Sequence, residues 1–244
     1  TDAVVTNAAG GAINAYSGFN AAFGALALSA TGNVSITNAG SISTNGSGTS
    51  VGAFGISSAG DTLVVNSGDI SAYSYAGMAV GALSRALYGQ ATADNSGDVY
   101  AFSRYGSASG LIAQGDAAIA TNSGTISAEG YYGGIGISAY GVSSAAIDNA
   151  GDVGAYAYDG AAVGLYGYSP GGTVVVGNSG NVLASSVLGL SIAARAQSAY
   201  GSALVDNGGS LVANGVNGAG VGAAAISGAG DAGVVNSGSI HATS

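Results

Sequence analysis

The stretch VVNSGDISA at residues 64–72 returns almost unchanged as VVNSGSIHA at residues 234–242, and further variants of it lie between and before them. The asparagine that marks each copy recurs at spacings of 27 to 31 residues along the chain. A period this regular predicts a solenoid, in which each unit buries its apolar face only by stacking on its neighbours. The marker residues are Asn7, Asn38, Asn66, Asn95, Asn122, Asn149, Asn178, Asn207 and Asn236.

Apolar and polar residues alternate within each copy. Counted from the marker, Val, Ile, Leu or Ala predominates two positions before, four after and six after, while the odd positions carry Asp, Ser, Thr, Tyr and Arg. A period of two indicates a β-strand with one buried and one solvated face. Helix is disfavoured because the chain has 46 glycines, and each glycine costs a helix about 1 kcal/mol.

Two further apolar stretches complete each repeat. One contains a glycine that recurs as Gly24, Gly52, Gly81, Gly110, Gly136, Gly164, Gly189 and Gly222. The other leads back to the next marker, as in TVVVGN at 173–178. Three short strands and three turns use about 28 residues, which predicts an all-β parallel β-helix with three strands per coil. We expect about nine coils of 27–31 residues, forming a single solenoid over residues 1–244 and a rod on the order of 40 Å long.

The marker asparagine shares the parity of the core residues, so we expect its amide to point inward at a corner of the coil. Because stacked strands lie about 4.8 Å apart, these amides can form a continuous hydrogen-bonded ladder from Asn38 to Asn236. The glycine that follows is expected to supply the positive φ of a sharp corner. Replacing one ladder asparagine with leucine is expected to cost roughly 1–3 kcal/mol.

Composition excludes several classes of partner. The formal net charge is −9 and the only basic side chains besides His241 are Arg85, Arg104 and Arg195. Nucleic acids and anionic membrane surfaces are therefore disfavoured. The absence of cysteine rules out a disulfide framework, and no stretch approaches 18 uninterrupted apolar residues, so we expect no membrane insertion. Since the chain starts within one motif, we expect it to be a fragment of a longer surface or secreted protein.

The repeat resembles that of bacterial autotransporter passenger regions and related large adhesins. The resemblance rests on the Asn, the Ser or Ala and Gly after it, the Ile or Val four residues on and the Ala six residues on, in an acidic chain without Cys or Lys. It covers essentially the whole sequence. It implies a right-handed β-helix that is exported from the periplasm and displayed outside the cell or on the outer surface of a bacterium.

No catalytic or metal-binding constellation is apparent in the sequence. Asp94 and Asp98 flank one marker and Asp148 and Asp152 flank another two coils away, where solvated surface carboxylates are the favoured interpretation over weak cation binding or catalysis. His241 has no clustered acids or cysteines beside it. We therefore expect neither a metal, a cofactor nor an enzymatic activity.

Aromatic residues form two outward rows on consecutive coils. Seven residues after the marker stand Tyr73, Phe102 and Tyr156, with Glu129 between the last two. Nine residues after it stand Tyr75, Arg104, Tyr131 and Tyr158. The rows either stabilise the sheet by stacking like side chains or form a contact surface for sugars or another protein.

The sequence thus favours a non-enzymatic structural or adhesive segment, a rigid rod that presents a Tyr-rich face. Its partners would be a host or neighbouring-cell surface, a glycan or another copy of the chain. The alternative is a self-assembling extracellular fibre subunit that stacks head-to-tail through exposed β-helix ends.

Overall fold

The computed structural model describes all 244 residues and contains 24 β-strands and no helix. Since there is no helix, there is none that could cross a membrane. The strands are β1 (Ala3–Asn7), β2 (Ala12–Ser17), β3 (Ala22–Ser29), β4 (Val34–Asn38), β5 (Ser41–Gly46), β6 (Ser50–Ser57), β7 (Thr62–Asn66), β8 (Asp69–Ser74), β9 (Ala79–Ala86), β10 (Gln90–Asn95), β11 (Asp98–Ser103), β12 (Ser107–Asn122), β13 (Thr125–Gly130), β14 (Gly133–Asn149), β15 (Asp152–Ala157), β16 (Ala161–Ser169), β17 (Thr173–Asn178), β18 (Asn181–Ser186), β19 (Ser191–Ser198), β20 (Ala203–Asn207), β21 (Ser210–Gly215), β22 (Gly220–Ser227), β23 (Ala232–Asn236) and β24 (Ser239–Thr243).

These strands wind into a three-faced parallel β-solenoid. The first face, which follows each marker asparagine, is a nine-stranded sheet in the order β2-β5-β8-β11-β13-β15-β18-β21-β24. The second face carries the repeated glycine, and the third leads to the next marker. Both belong to a 15-stranded sheet because β12 and β14 run through the corner between them. The predicted all-β fold with three strands per coil is confirmed, with about eight complete turns between the nine markers.

Sequence repeats and structural register coincide. Each marker pairs with the next, as Asn7 with Asn38 and Asn95 with Asn122. The first of the two 27-residue coils is shortened at a corner: the four residues 86–89 between Arg85 and Gln90 are matched by only two, Gly115 and Asp116, between Gln114 and Ala117. Shortening of this corner explains why β12 continues from the second face into the third.

The core is narrow and built from stacked small and branched side chains. A single cluster of 34 buried residues runs along the axis. Ile42, Ile70 and Ile126, each four residues after a marker, are 1% exposed, and the alanines six residues after most markers lie beside them. At about 25 cal/mol per Å² of buried apolar surface, this stacking is the main stabilising contribution of each coil.

The glycine row of the second face differs from the prediction at one level. Gly189 lies in a corner, and the register places Ala193 between Gly164 and Gly222 instead. A Cβ on Gly164 would lie 2.2 Å from Cγ1 of Val182 on the next coil. At the position that corresponds to Val182, the core residue facing Ala193 is Leu211. Leu211 is the only residue in the row of Val182 that is not β-branched. The missing β-branch leaves space for the alanine methyl group.

The reason for the corner glycine was also predicted wrongly. Among the glycines that follow the markers, only Gly10 has a positive φ, at 78°. At the other levels the preceding coil lies too close for a side chain. For example, a Cβ on Gly97 would lie 2.0 Å from the carbonyl oxygen of Gly68. Close stacking of backbones, rather than a left-handed conformation, requires glycine at these corners.

Candidate functional site

The predicted asparagine ladder is continuous. Each Nδ2 donates to the Oδ1 of the next marker at 2.7–2.8 Å, from Asn7 through to Asn236. From Asn38 onward each Nδ2 also donates to the carbonyl oxygen two residues later, for example Asn66 to Gly68 at 2.9 Å. All markers are buried except Asn236, which lies on the last level and is exposed. Thus the ladder satisfies the amides that the fold buries and supplies no reactive group to solvent.

Serine corners, which were missed from the sequence, close the turn from the second face to the third. Ser57 Oγ donates to the carbonyl of Gly32 on the preceding coil at 2.7 Å and accepts from the Gly60 amide at 2.8 Å. Ser198 makes the equivalent pair of bonds to Gly172 and Gly201. The signal is a recurring Ser-x-x-Gly motif: SATG at 29–32, SSAG at 57–60, SPGG at 169–172, SAYG at 198–201 and SGAG at 227–230.

The acidic residues lie where the sequence placed them and do not converge. Thr121 separates Asp94 from Asp148 in one row, and Thr125 separates Asp98 from Asp152 in the other. Thr121 Oγ1 donates to Asp94 at 2.5 Å. The structure contains no group of three or more His, Cys, Asp or Glu side chains arranged to hold a metal ion.

The two aromatic rows, by contrast, come together at one corner. Phe102 pairs in register with Tyr73 and Glu129, and Glu129 with Tyr156. The second row lies beside the first, at the turn from the first face to the second. Tyr75 is 47% exposed and Tyr158 is 50% exposed. The predicted surface therefore exists as a contiguous, solvent-facing cluster on four adjacent coils.

Ring contacts connect the cluster and add two members that were missed. Tyr73 stacks on Phe102 with centroids 5.3 Å apart, and Tyr131 stacks on Tyr158 at 5.1 Å. Tyr132 meets Tyr131 edge-on at 4.9 Å. We call the whole set the tyrosine corner; it comprises Tyr73, Tyr75, Phe102, Arg104, Tyr105, Tyr131, Tyr132, Tyr156 and Tyr158.

Arg104 is held by aromatic rings. Its guanidinium carbon lies 5.6 Å from the ring centroid of Tyr75 and 5.4 Å from that of Tyr105. These are cation–π distances. Tyr105 was missed because it stands ten residues after its marker, where the turn takes the chain out of strand alternation. A positively charged group thus lies at the surface against two aromatic rings.

Burial and nearby acidic residues raise the pKa of two tyrosines in or beside the tyrosine corner. Partial burial raises the pKa of Tyr131 above its ordinary value, and the charge of Asp159 acts in the same direction. Next to the corner, burial raises the pKa of Tyr100, and the charge of Glu129 adds to the shift. Both phenols therefore stay neutral at physiological pH and can donate hydrogen bonds.

A groove of about 300 Å³ runs between the two rows. One wall is Phe102, Glu129 and Tyr156; the other is Arg104, Tyr131 and Tyr158. Ser103, Gly130 and Ala157 form the floor. Because these floor residues point inward and are small, the rows on either side stand above them. The corner is thus concave, mostly apolar and supplied with one group of each charge, as ligand sites usually are.

A second exposed apolar surface covers the N-terminal coils of the second face. Leu28 is 58% exposed and Leu26 is 42% exposed, and Phe23 stacks on Phe54 with centroids 5.9 Å apart. The sequence does not reveal this surface, because FGALAL at 23–28 has large and small apolar residues on both sides of the strand. Inside lie Ala25 and Ala27, and outside lie the leucines.

No protein-family model, no curated protein and no solved structure matches this chain.

Proposed function

We propose that the chain is a non-enzymatic structural and adhesive segment of a bacterial extracellular or cell-surface protein, a rigid rod that presents the tyrosine corner to a partner. One observation carries the proposal: nine aromatic or cationic side chains cluster on four adjacent coils of one corner, although nothing in the solenoid requires them there. Other coils fill the same rows with Asn45, Ser185, Val187 and Val216.

Rigidity follows from the interior. Every coil hydrogen-bonds its neighbours through parallel strands, and the buried asparagines add a second continuous set of bonds along the axis. Nine levels at about 4.8 Å per level give a rod on the order of 40 Å long. A rod of this kind holds a surface patch at a fixed distance and orientation.

The exposure of the rings favours contact with a partner, rather than stabilisation of the sheet by stacking, as the role of the tyrosine corner. A stacked tyrosine pair stabilises a sheet by about 0.2–1 kcal/mol, and burying the rings would stabilise it more. Instead Tyr75, Tyr105, Tyr132 and Tyr158 are 46–58% exposed. Tyr and Arg are the residue types enriched at protein interfaces and their binding hot spots.

Location outside the cell is part of the proposal. It is supported by the resemblance of the repeat to autotransporter passengers and by a composition without cysteine. The proposed partners are a host or neighbouring-cell surface, a glycan or another copy of the chain.

A cell-binding assay with the purified chain tests this proposal. The double variant Tyr131→Ala/Tyr158→Ala should lose most binding to bacterial or host cells, because both rings line the groove. The matched control is Tyr88→Ala/Tyr200→Ala, since these tyrosines are 83% and 77% exposed and lie outside the corner. Equal binding by the two double variants would contradict the proposal. Fibres that form with rising protein concentration would instead favour the alternative of a self-assembling fibre subunit.

A further inference from the structure

The groove of the tyrosine corner combines features that together define a class of ligand. Its two walls extend over four coils, from Phe102 and Arg104 to Ser185 and Val187, a distance of about 14 Å along the rod axis. It is open along its length and suits an elongated molecule that lies parallel to the axis.

Aromatic faces are interrupted at one point by a carboxylate. Glu129 stands between Phe102 and Tyr156 in register. Ser127 Oγ donates to Glu129 Oε1 at 3.2 Å. The phenol of Tyr100, on the preceding coil, also hydrogen-bonds to Glu129. A carboxylate has about four lone-pair sites, so these two bonds leave about half of its capacity to accept hydrogen bonds from a ligand.

On the opposite wall of the groove, Arg104 supplies hydrogen-bond donors. Its guanidinium rests on the rings of Tyr75 and Tyr105. A guanidinium has five N–H donors and accepts no hydrogen bond. The groove therefore offers an acceptor on one wall and a donor on the other, with aromatic rings between and around them.

These features select among possible ligands. An anionic polymer is disfavoured by the formal net charge of −9 and by Glu129 in the groove. Within the groove Arg104 balances the charge of Glu129, so the lining offers a cation no net attraction. A wholly apolar ligand would leave both charged groups without partners. A neutral sugar ring has C–H groups that pack on an aromatic face and hydroxyls that both donate to a carboxylate and accept from a guanidinium.

We infer that the groove between Phe102, Glu129 and Tyr156 on one wall and Arg104, Tyr131 and Tyr158 on the other binds a neutral glycan chain along the rod axis. In this arrangement the sugar rings pack on Tyr156 and on the face of Tyr158 that Tyr131 leaves uncovered, Tyr131 supports Tyr158 by stacking on its other face, and Glu129 and Arg104 hydrogen-bond to the hydroxyls. The inference rests on the proposed contact role of the tyrosine corner and names its ligand.

Direct titration of the purified chain with cellotetraose, chitotetraose and maltotetraose tests the inference, with a hyaluronan tetrasaccharide as the anionic comparison. Calorimetry gives the affinity, and tyrosine fluorescence is a second readout because seven of the 14 tyrosines lie in the tyrosine corner and the chain has no tryptophan. At least one neutral tetrasaccharide should bind, and more tightly than the anionic one. Absence of binding by all three neutral sugars, or tighter binding of hyaluronan, would overturn the inference.

Variants localise the binding. Tyr131→Ala should weaken it about tenfold, as expected for one aromatic hot-spot residue. Glu129→Gln keeps the shape and removes the charge, and should weaken binding about fivefold. The control Tyr200→Ala should leave the affinity within about twofold of the unsubstituted chain. If neither groove variant weakens binding while the melting curves stay unchanged, the sugar binds elsewhere and the inference is wrong.

Comparison with the cell-binding assay separates this inference from the proposed function. Loss of cell binding in Tyr131→Ala/Tyr158→Ala without any binding of neutral sugars would leave the adhesive proposal standing and refute the glycan. Sugar binding in the groove without binding to cells would support the glycan and refute the adhesive role.

Discussion

The asparagine corner and the tyrosine corner lie on the same coils but obey different rules. At the first, the same residue recurs on every level, is buried, and is hydrogen-bonded to its counterparts above and below. At the second, aromatic residues occupy four levels and give way to Asn45 below and Val187 above. The repeated asparagine is required by the fold, because each coil must satisfy the hydrogen-bonding groups of the next. The aromatic residues of the tyrosine corner do not recur on every coil, so the fold does not require them and they are available to contact a partner.

The largest effect is expected from breaking the asparagine corner. In Asn122→Leu, Asn95 Nδ2 loses its acceptor, while Asn149 Oδ1 and the Gly124 carbonyl lose their donor. Each polar group left unsatisfied costs about 1–3 kcal/mol. Since three groups are affected, the free energy of unfolding should fall by about 3 kcal/mol or more, which exceeds the roughly 1–3 kcal/mol expected from the sequence. Denaturant unfolding followed by circular dichroism measures the loss.

Asn236→Leu is the matched control for that variant. Asn236 accepts from Asn207 at 2.7 Å but is exposed on the last level, so water can replace the bond and the loss should stay below about 1 kcal/mol. Equal losses at Asn122 and Asn236 would mean that burial of the ladder does not govern its contribution.

A smaller effect is expected at the glycine row of the second face. In Gly81→Ala the new Cβ would lie 2.1 Å from Cγ1 of Val99 and 2.6 Å from the Gly110 carbonyl oxygen. Overpacking of this kind costs about 1–3 kcal/mol. Because Ala193 faces Leu211 in the native chain, adding Val99→Leu to Gly81→Ala should restore part of the stability. A double variant no more stable than the single one would refute the compensation inferred from Leu211.

The tyrosine corner should tolerate loss of a ring. Tyr131→Ala removes the edge-on contact with Tyr132 and the stacking contact with Tyr158, and such contacts are worth about 0.2–1 kcal/mol per pair. We therefore expect a loss of unfolding free energy of about 0.4–2 kcal/mol, together with the large loss of binding described above. A loss as large as that of Asn122→Leu would show that the tyrosine corner is primarily structural.

Alkaline pH should produce the smallest effect. Burial and Glu129 raise the pKa of Tyr100 in the folded state, so its contribution is fully present below the unfolded value of about 10 and is lost as the pH rises through the folded pKa. Tyr100→Phe should reduce the drop in unfolding midpoint between about pH 9 and about pH 11. An unchanged drop would mean that Tyr100 does not contribute to the alkaline transition.

Most of the fold was predictable because every coil of the solenoid is stabilised by the same kinds of contact. The alternation around Asn66 or Asn149 indicates which residues are buried, and equal spacing places each marker over the next. Prediction failed where a turn interrupts the alternation. Tyr105 and Tyr132 lie in such turns, and Gly189 was mistaken for a member of the glycine row because Ala193 replaces glycine there.

The candidate site was only partly predictable for the same reason. Odd parity along the strand placed Tyr73, Phe102 and Tyr156 outside, and the structure confirms their register. Parity does not report how far a side chain leans or which rings meet. The cation–π contacts of Arg104 and the groove depend on the path of the corner, which three-dimensional packing determines.

Side-chain amide hydrogen exchange, measured by NMR, tests the central claim most directly. If the markers form a buried ladder, the Nδ2 protons of Asn38, Asn66, Asn95, Asn122, Asn149, Asn178 and Asn207 should exchange on the order of a thousandfold more slowly than those of the exposed Asn20 or Asn217. Protection should be lost along the row in Asn122→Leu. Equal, fast exchange at all asparagines in the native chain would contradict the stacked architecture and the account built on it.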